Sequence, residues 1–182
     1  MPGIVRTRCG YCGGTTKKPD YQNVGDHSET IQIDFDPTKI TYRQLAEMFW
    51  STHNICGKPF SRQYKSILFY HNEEQKKIAL ETRDQEQAKR KDKITTEIVA
   101  LSEFTVAEDY HQKYELRSHK EFLEALTAIY PKDVDLMNST VAARLNSYLS
   151  GGGKAADLEK EIDSYGLSKD LKAKLLEIVK GK

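Results

Sequence analysis

The chain has 182 residues, of which 38% are hydrophobic and 30% are charged, and its formal net charge at pH 7 is +1. This length allows one α/β domain with an appendage, and the composition is typical of a globular protein and too apolar for a disordered one. A net charge so close to zero gives no indication of nucleic acid or an anionic membrane as a partner. We therefore expect neither of these as a partner.

No membrane span and no secretory signal are visible in the sequence. No stretch approaches the roughly 20 apolar residues that span a bilayer. The first twenty residues are basic and glycine-rich, without the apolar segment of a secretory signal. The three cysteines, Cys9, Cys12 and Cys56, cannot all pair within one chain. This favours a reducing compartment, and we predict a cytoplasmic location.

Strand and helix patterns alternate through the first 116 residues. Residues 4–9, 64–70 and 94–101 read as strands, and residues 31–35 alternate apolar with polar side chains, as in a half-buried strand. Helices are predicted from Tyr42 to about residue 53, after the capping box of Thr41 and Gln44, and from Glu73 to about residue 91, after Asn72. This order predicts an α+β fold, an incomplete ferredoxin-like α/β sandwich with helices packed on a sheet.

The pattern changes after Tyr114, where apolar residues recur at helical spacing up to the end of the chain. We predict that residues 1–116 form the α+β domain and residues 117–182 a helical C-terminal extension. The extension shows no residue pattern with evident chemistry. Packing, or docking to a partner, is the expected role.

Several polar residues lie at predicted junctions between loops and strands, where sites are often built. They are Tyr21, Glu29, Tyr64, Tyr110 and His111. Glu29 stands just before a strand, so a loop over its carboxyl would raise the pKa and allow it to donate a proton. Taken singly, each of these residues is more often an ordinary solvated side chain.

Cys9 and Cys12 form a Cys-x-x-Cys pair. This spacing can close a redox disulfide or supply half of a zinc site. A zinc site would need Cys56 and a histidine, because there is no second such pair. A redox pair favours a thiol at a helix N-terminus, whereas Cys9 is predicted to lie in a strand. Small residues filling a packed turn beside glycines remain the most ordinary interpretation.

An ordered series of motifs carries a family resemblance. Gly-Tyr-Cys-Gly-Gly occupies residues 10–14, His-Ser-Glu residues 27–29, Arg-Gln-Tyr-Lys-Ser residues 62–66, and Ala-Glu-Asp-Tyr-His-Gln-Lys-Tyr residues 107–114. In this order they resemble the methionine-S-sulfoxide reductase A family over about residues 2–114. The resemblance implies that family's α+β fold.

The resemblance also implies an activity, the thiol-dependent reduction of methionine-(S)-sulfoxide in peptides and proteins as a repair of oxidative damage. In the family, a thiolate attacks the sulfoxide sulfur while a glutamic acid and two tyrosines hydrogen-bond the oxygen. Glu29 matches the glutamic acid, and Tyr21 and Tyr64 match the tyrosines. A second thiol and then a thioredoxin-like partner reset the enzyme. No metal or organic cofactor is implied.

Other family features have no match here. The Gly-Cys-Phe-Trp motif, which carries the nucleophile, lies in the family about twenty residues before the glycine-rich turn, whereas Met1 is nine residues before Gly10. The strand and helix of that motif are expected to be missing. The loop at residues 56–60 lacks the family's aspartate, and no cysteine follows Tyr114.

Three explanations are open. The first is that the chain is a truncated or alternative-start form of a longer enzyme. The second is that a retained cysteine has replaced the nucleophile, and Cys56 is the best placed. The third is that the domain is a catalytically silent binding module. A thiol-redox protein using Cys9 and Cys12 is a further alternative. A sheet without its central strand leaves an edge and an apolar face uncovered. We expect the helical extension, or a second copy in a homodimer, to cover that gap.

Overall fold

The computed structural model describes residues 2–181, which form a mixed α and β structure. The strands are β1 (Ile4–Cys12), β2 (Ser28–Phe35), β3 (Ile67–Tyr70), β4 (Glu97–Ala100) and β5 (Phe104–Val106). In the first sheet β1 lies between β2 and β5, and both pairings are antiparallel. In the second, β3 and β4 pair in parallel. The predicted α+β class is confirmed.

The centre of the first sheet depends on Gly10. A Cβ atom at this position would lie 2.3 Å from the carbonyl oxygen of Thr105 and 2.5 Å from the ring of Phe104. Only glycine lets β5 approach β1 this closely. On the other side of β1, Cys9 is opposite Ile31 and Tyr11 is opposite Glu29.

Two helices pack together beside the strands, α1 (Tyr42–Ser51) and α2 (Glu73–Gln87). The predicted capping box of Thr41 and Gln44 begins α1, and the side chain of Asn72 caps α2. Trp50 is 1% exposed, and its indole N–H donates to Thr82 Oγ1 at 2.9 Å. This buried bond fixes α1 against α2.

The rest of the described chain is helical. It contains α3 (Tyr114–Ser118), α4 (Lys120–Ile129), α5 (Asp133–Asn138), α6 (Thr140–Leu149), α7 (Ala155–Glu161) and α8 (Lys169–Lys180). These helices share one apolar core that runs from Leu116 to Leu175. They pack on β1, where Arg8 Nε donates to Asn138 Oδ1 at 2.8 Å and Thr140 Oγ1 donates to Val5 O at 2.6 Å. No helix among the described residues has both the length and the hydropathy to cross a membrane.

Several sequence-based boundaries were wrong, and one strand was not predicted. Residues 62–64 form a 3₁₀ turn, so the predicted strand at 64–70 begins only at Ile67. The predicted strand at 94–101 is shortened to β4, because Thr95 N instead donates to the carbonyl of Ile55 at 2.8 Å in a loop contact. The short strand β5 was missed. The proposed domain boundary after residue 116 falls within α3 and remains a prediction.

A wide groove separates the two sheets. Strands β2 and β3 each pair on one side only, and both line a cavity of about 500 Å³. Its apolar wall includes Ile33, Leu45 and Phe49, and Ile31 is 59% exposed. All lining residues lie between Ser28 and Phe104, so no described residue of the C-terminal helices lines it. The expectation that these helices cover the gap was wrong, because they pack on β1 instead.

Candidate functional site

Glu29 lies near the start of β2, where two cavities meet. It lines the groove of about 500 Å³ and a smaller cavity of about 260 Å³. Its Oε1 accepts a hydrogen bond from Gln63 Nε2 at 2.6 Å. The residue is exposed, so the loop cover expected from the sequence is not provided by the residues that the structure describes. Its carboxyl is open to a ligand in either cavity.

Tyr64 is brought to Glu29 by the 3₁₀ turn at Arg62–Tyr64. Arg62 anchors this turn, because its Nε donates to Asp26 O at 2.5 Å and its Nη2 donates to Gly13 O at 3.2 Å. Ser28 Oγ in turn donates to Arg62 O at 2.8 Å. Tyr64 is 56% exposed and lines the large groove together with Glu29.

Tyr21 lies in the loop that connects β1 to β2 and contacts His111. It is 46% exposed, and its ring centroid lies 4.7 Å from that of His111. His111 lines the smaller cavity together with Glu29. Glu29 and Tyr64 therefore line the large groove, Glu29 and His111 line the smaller cavity, and Tyr21 contacts that cavity's His111 without lining either cavity itself.

Glu108 hydrogen-bonds both the loop that carries Tyr21 and the strand residue Tyr11, a role that the sequence did not predict. Its Oε2 accepts from Tyr11 Oη at 2.8 Å, and its Oε1 accepts from the backbone N–H of Tyr21 at 2.9 Å. Burial opposes ionisation of Glu108, but the hydrogen bonds and the nearby His111 outweigh it, and its pKa is lowered. Burial and the Glu108 contact raise the pKa of Tyr11. The motif at 107–114 contains Glu108, yet sequence does not reveal which backbone group it will contact.

Cys9 and Cys12 lie three residues apart in β1 and point to opposite faces of the strand. Three residues of strand span about 10 Å, whereas a disulfide needs Cα atoms within about 7 Å. Both thiols are free, and burial raises the pKa of each. This geometry counts against the redox pair that the spacing suggested. Cys9 does line the smaller cavity together with Glu29.

Cys56 does not approach Glu29. Its Sγ donates to Asp92 O at 3.6 Å, and it packs against a cluster that includes Trp50. The loop is tied towards β4, because Thr95 Oγ1 donates to Gly57 O at 2.9 Å. Cys56 therefore lines neither cavity. The structure does not bring this candidate nucleophile to the carboxyl that it would need.

A metal site finds no support in the part of the chain that the structure describes. Residues 2–181 contain no group of three or more histidine, cysteine, aspartate or glutamate side chains placed to hold an ion. Cys56, required for the zinc alternative, is engaged with Asp92 as described above.

In this α+β frame the exposed Glu29 and Tyr64 line one groove, and the exposed Tyr21 packs on His111 of the adjoining cavity. A family model described as peptide methionine sulfoxide reductase matches residues 1–143. The chain belongs to the peptide methionine sulfoxide reductase family, a family of oxidoreductases.

Individual relatives agree with this assignment. A peptide methionine sulfoxide reductase of Drosophila melanogaster is 42% identical over 168 residues, which cover 91% of this chain and 67% of that protein. Peptide methionine sulfoxide reductase A5 of Oryza sativa is 40% identical over 154 residues, covering 81% and 60%. The chain thus spans roughly two thirds or less of the length of these relatives.

Solved structures support the same fold. Methionine sulfoxide reductase A of Corynebacterium diphtheriae is 27% identical with a TM-score of 0.56, over 66% of each chain. Reduced Mxr1 from Saccharomyces cerevisiae is 29% identical with a TM-score of 0.60, over 65% of this chain and 74% of that one. The predicted ferredoxin-like α+β fold of this family agrees with these similarities.

Proposed function

We propose that this chain binds methionine-(S)-sulfoxide in peptides or proteins and serves its thiol-dependent reduction to methionine, a repair of oxidised protein. The observation that carries the proposal is the placement of Glu29 and Tyr64 on one groove, with Tyr21 packed on His111, which lines the adjoining cavity together with Glu29. These three residues match the family's oxygen-binding groups, and the chain belongs to that family.

The chemistry of these groups fits a sulfoxide. Its oxygen is a strong hydrogen-bond acceptor, the hydroxyls of Tyr21 and Tyr64 are donors, and a carboxyl such as that of Glu29 donates in its acid form. Donors directed at this oxygen favour its departure as water. The electrons come from two thiols, which become a disulfide while the sulfoxide becomes a thioether. A thioredoxin-like protein is the proposed reductant, and no prosthetic group is required.

The residues that match the family's oxygen-binding groups do not include a nucleophilic thiol. The 182 residues contain no Gly-Cys-Phe-Trp segment. Of the three cysteines, Cys9 shares a cavity with Glu29, whereas Cys56 lines neither cavity and Cys12 is completely buried. If one of these thiols acts in this chain, the structure favours Cys9 over Cys56. The raised pKa of Cys9 makes it a weak nucleophile at pH 7.

The first test measures binding and turnover of peptides that contain either methionine sulfoxide diastereomer, with dithiothreitol as reductant. We expect S-selective binding that weakens about tenfold or more in Glu29→Gln, because this change removes the acid while preserving shape. Glu124→Gln on the exposed face of α4 is the matched control and should bind like the wild type. Equal binding of methionine and its sulfoxides would contradict the proposal.

Cysteine variants then separate an enzyme from a binding module. S-selective turnover that is lost in Cys9→Ser but kept in Cys56→Ser identifies the thiol. Selective binding without turnover in the wild type favours the catalytically silent module, which the poor placement of Cys12 and Cys56 supports. The cytoplasmic location, the thioredoxin-like partner and a homodimer remain predictions.

A further inference from the structure

We propose that Glu108 is a positioning residue that holds Tyr21 in place relative to Glu29. This role rests on the proposed function, because Tyr21 and Glu29 are the groups assigned to the sulfoxide oxygen. Glu108 itself is assigned no contact with the substrate. Its carboxylate links the loop that carries Tyr21 to the strand pair that carries Glu29.

The two carboxylate oxygens hold different parts of the chain. Oε1 accepts from the backbone N–H of Tyr21 at 2.9 Å, and Oε2 accepts from Tyr11 Oη at 2.8 Å. Each bond joins residues that are distant in sequence, by 87 and 97 positions. Bonds to an ionised acceptor are stronger than neutral ones, so this bridge is well suited to fix a loop.

Tyr11 is the rigid end of the bridge. It is 2% exposed, it lies in β1, and it stands directly opposite Glu29 in the β1–β2 register. It also packs in a small buried cluster with Val24 and Ala107. A group that is hydrogen-bonded to the Tyr11 hydroxyl is therefore held in a fixed position relative to the strand pair that carries Glu29.

Tyr21 is the loop end of the bridge, and its side chain is 46% exposed. The turn around it is closed locally by Asp20, which accepts backbone hydrogen bonds from Gln22 and Asn23. The Glu108 bond connects this local turn to the sheet. His111, whose Nε2 lies 3.9 Å from Glu108 Oε2, supplies the surface on which the Tyr21 ring rests.

The acceptor-only character of an ionised carboxylate gives a sharp probe. Both partners of Glu108, an N–H and an O–H, act as donors. A glutamine at this position has the same shape but only one acceptor oxygen, and its NH₂ group is a donor, so it can accept a hydrogen bond from only one of these two partners. Glu108→Gln therefore loosens the bridge with little change in packing.

The experiment uses the full chain as five proteins: wild type, Glu108→Gln, Tyr21→Phe, the double variant and the control Asp109→Asn. Hydrogen exchange at the Tyr21 amide and the dissociation constant of an S-sulfoxide peptide are measured for each. Asp109→Asn, the same charge change at the next residue, is the matched control. A urea transition for every protein verifies that it is folded.

We expect faster Tyr21 amide exchange and about tenfold weaker binding in Glu108→Gln, and neither change in Asp109→Asn. Because Glu108 acts through Tyr21, Glu108→Gln should add little to the loss already caused by Tyr21→Phe, whereas a general structural effect would add in full. Additive losses, or unchanged exchange and binding, would overturn this role. Absence of sulfoxide binding by the wild type would overturn the proposed function and this role together.

Discussion

Lys113 is buried and has a left-handed backbone conformation, and both are unusual for a lysine. It is 4% exposed, and its backbone has a φ of 55°, in the left-handed region that few non-glycine residues adopt. Its Nζ donates to the carbonyl of Thr7 at 2.5 Å. Burial lowers its pKa to about 8. The ammonium therefore ties the end of the family motif to β1 at an electrostatic cost.

This cost predicts a pH dependence of stability. An unfolded lysine has a pKa of about 10.4, so between pH 8 and 10 the unfolded chain binds more protons at Lys113 than the folded chain does. The free energy of unfolding should therefore rise with pH in this window, by about 2 kcal/mol from pH 7 to pH 9.5 from this group alone.

Urea unfolding of the wild type and of Lys113→Met across this range tests the prediction. The raised pKa values of Cys9 and Cys12 act in the opposite direction, but both proteins contain these thiols, so the difference between them isolates most of the lysine effect. A difference in unfolding free energy that stays constant with pH would show that Lys113 titrates normally.

At the scale of elements, the 3₁₀ turn that carries Tyr64 depends on Arg62. The guanidinium bonds to two carbonyls of the β1–β2 connection, those of Gly13 and Asp26. A glutamine side chain is shorter and cannot donate to both in the same way. We expect Arg62→Gln to release the turn and weaken sulfoxide-peptide binding several-fold, while the urea midpoint falls little because the turn is on the surface.

Arg83→Gln on α2 is the control for this prediction, because Arg83 bonds only to its neighbour Asp84 among the contacts described. Calorimetric titration of the same peptide measures both variants. Undiminished binding by Arg62→Gln would mean that Tyr64 is held by other contacts or is not needed.

The elements also show what sequence can predict. Local signals were sufficient for the helix starts, since Thr41 and Asn72 cap their helices through side-chain bonds to residues three positions later. The start of β3 was not predictable, because Tyr64 is held in a turn by long-range bonds of Arg62. The site residues Tyr21, Glu29 and Tyr64 came from family motifs. The bridge through Glu108 joins positions 87 and 97 residues apart, which no local pattern encodes.

At the scale of the whole molecule, the C-terminal helices are a support for β1. Their own core begins at Leu116, and α5 and α6 contact β1 through Asn138 and Thr140. We expect a chain that ends at Leu116 to unfold less cooperatively and at a lower urea concentration than the full chain. The truncation exposes that side of β1 and removes the apolar residues that bury Leu116.

Urea unfolding with analytical ultracentrifugation tests this expectation. Thr140→Val in the full chain is a useful comparison, since it removes one bond to β1 and leaves the helices in place. A monomeric chain ending at Leu116 that unfolds cooperatively at the same urea concentration would show that the helices are dispensable.

Gly10 has a consequence for how this sequence can vary. Any side chain there collides with the Thr105 carbonyl and the Phe104 ring, so it pushes β5 away from β1. Glu108 follows β5 after a single intervening residue, and it would move with that strand. A methyl group on the strand could thus displace Tyr21 without touching it. Gly10 should therefore tolerate substitution poorly, although it has no side chain.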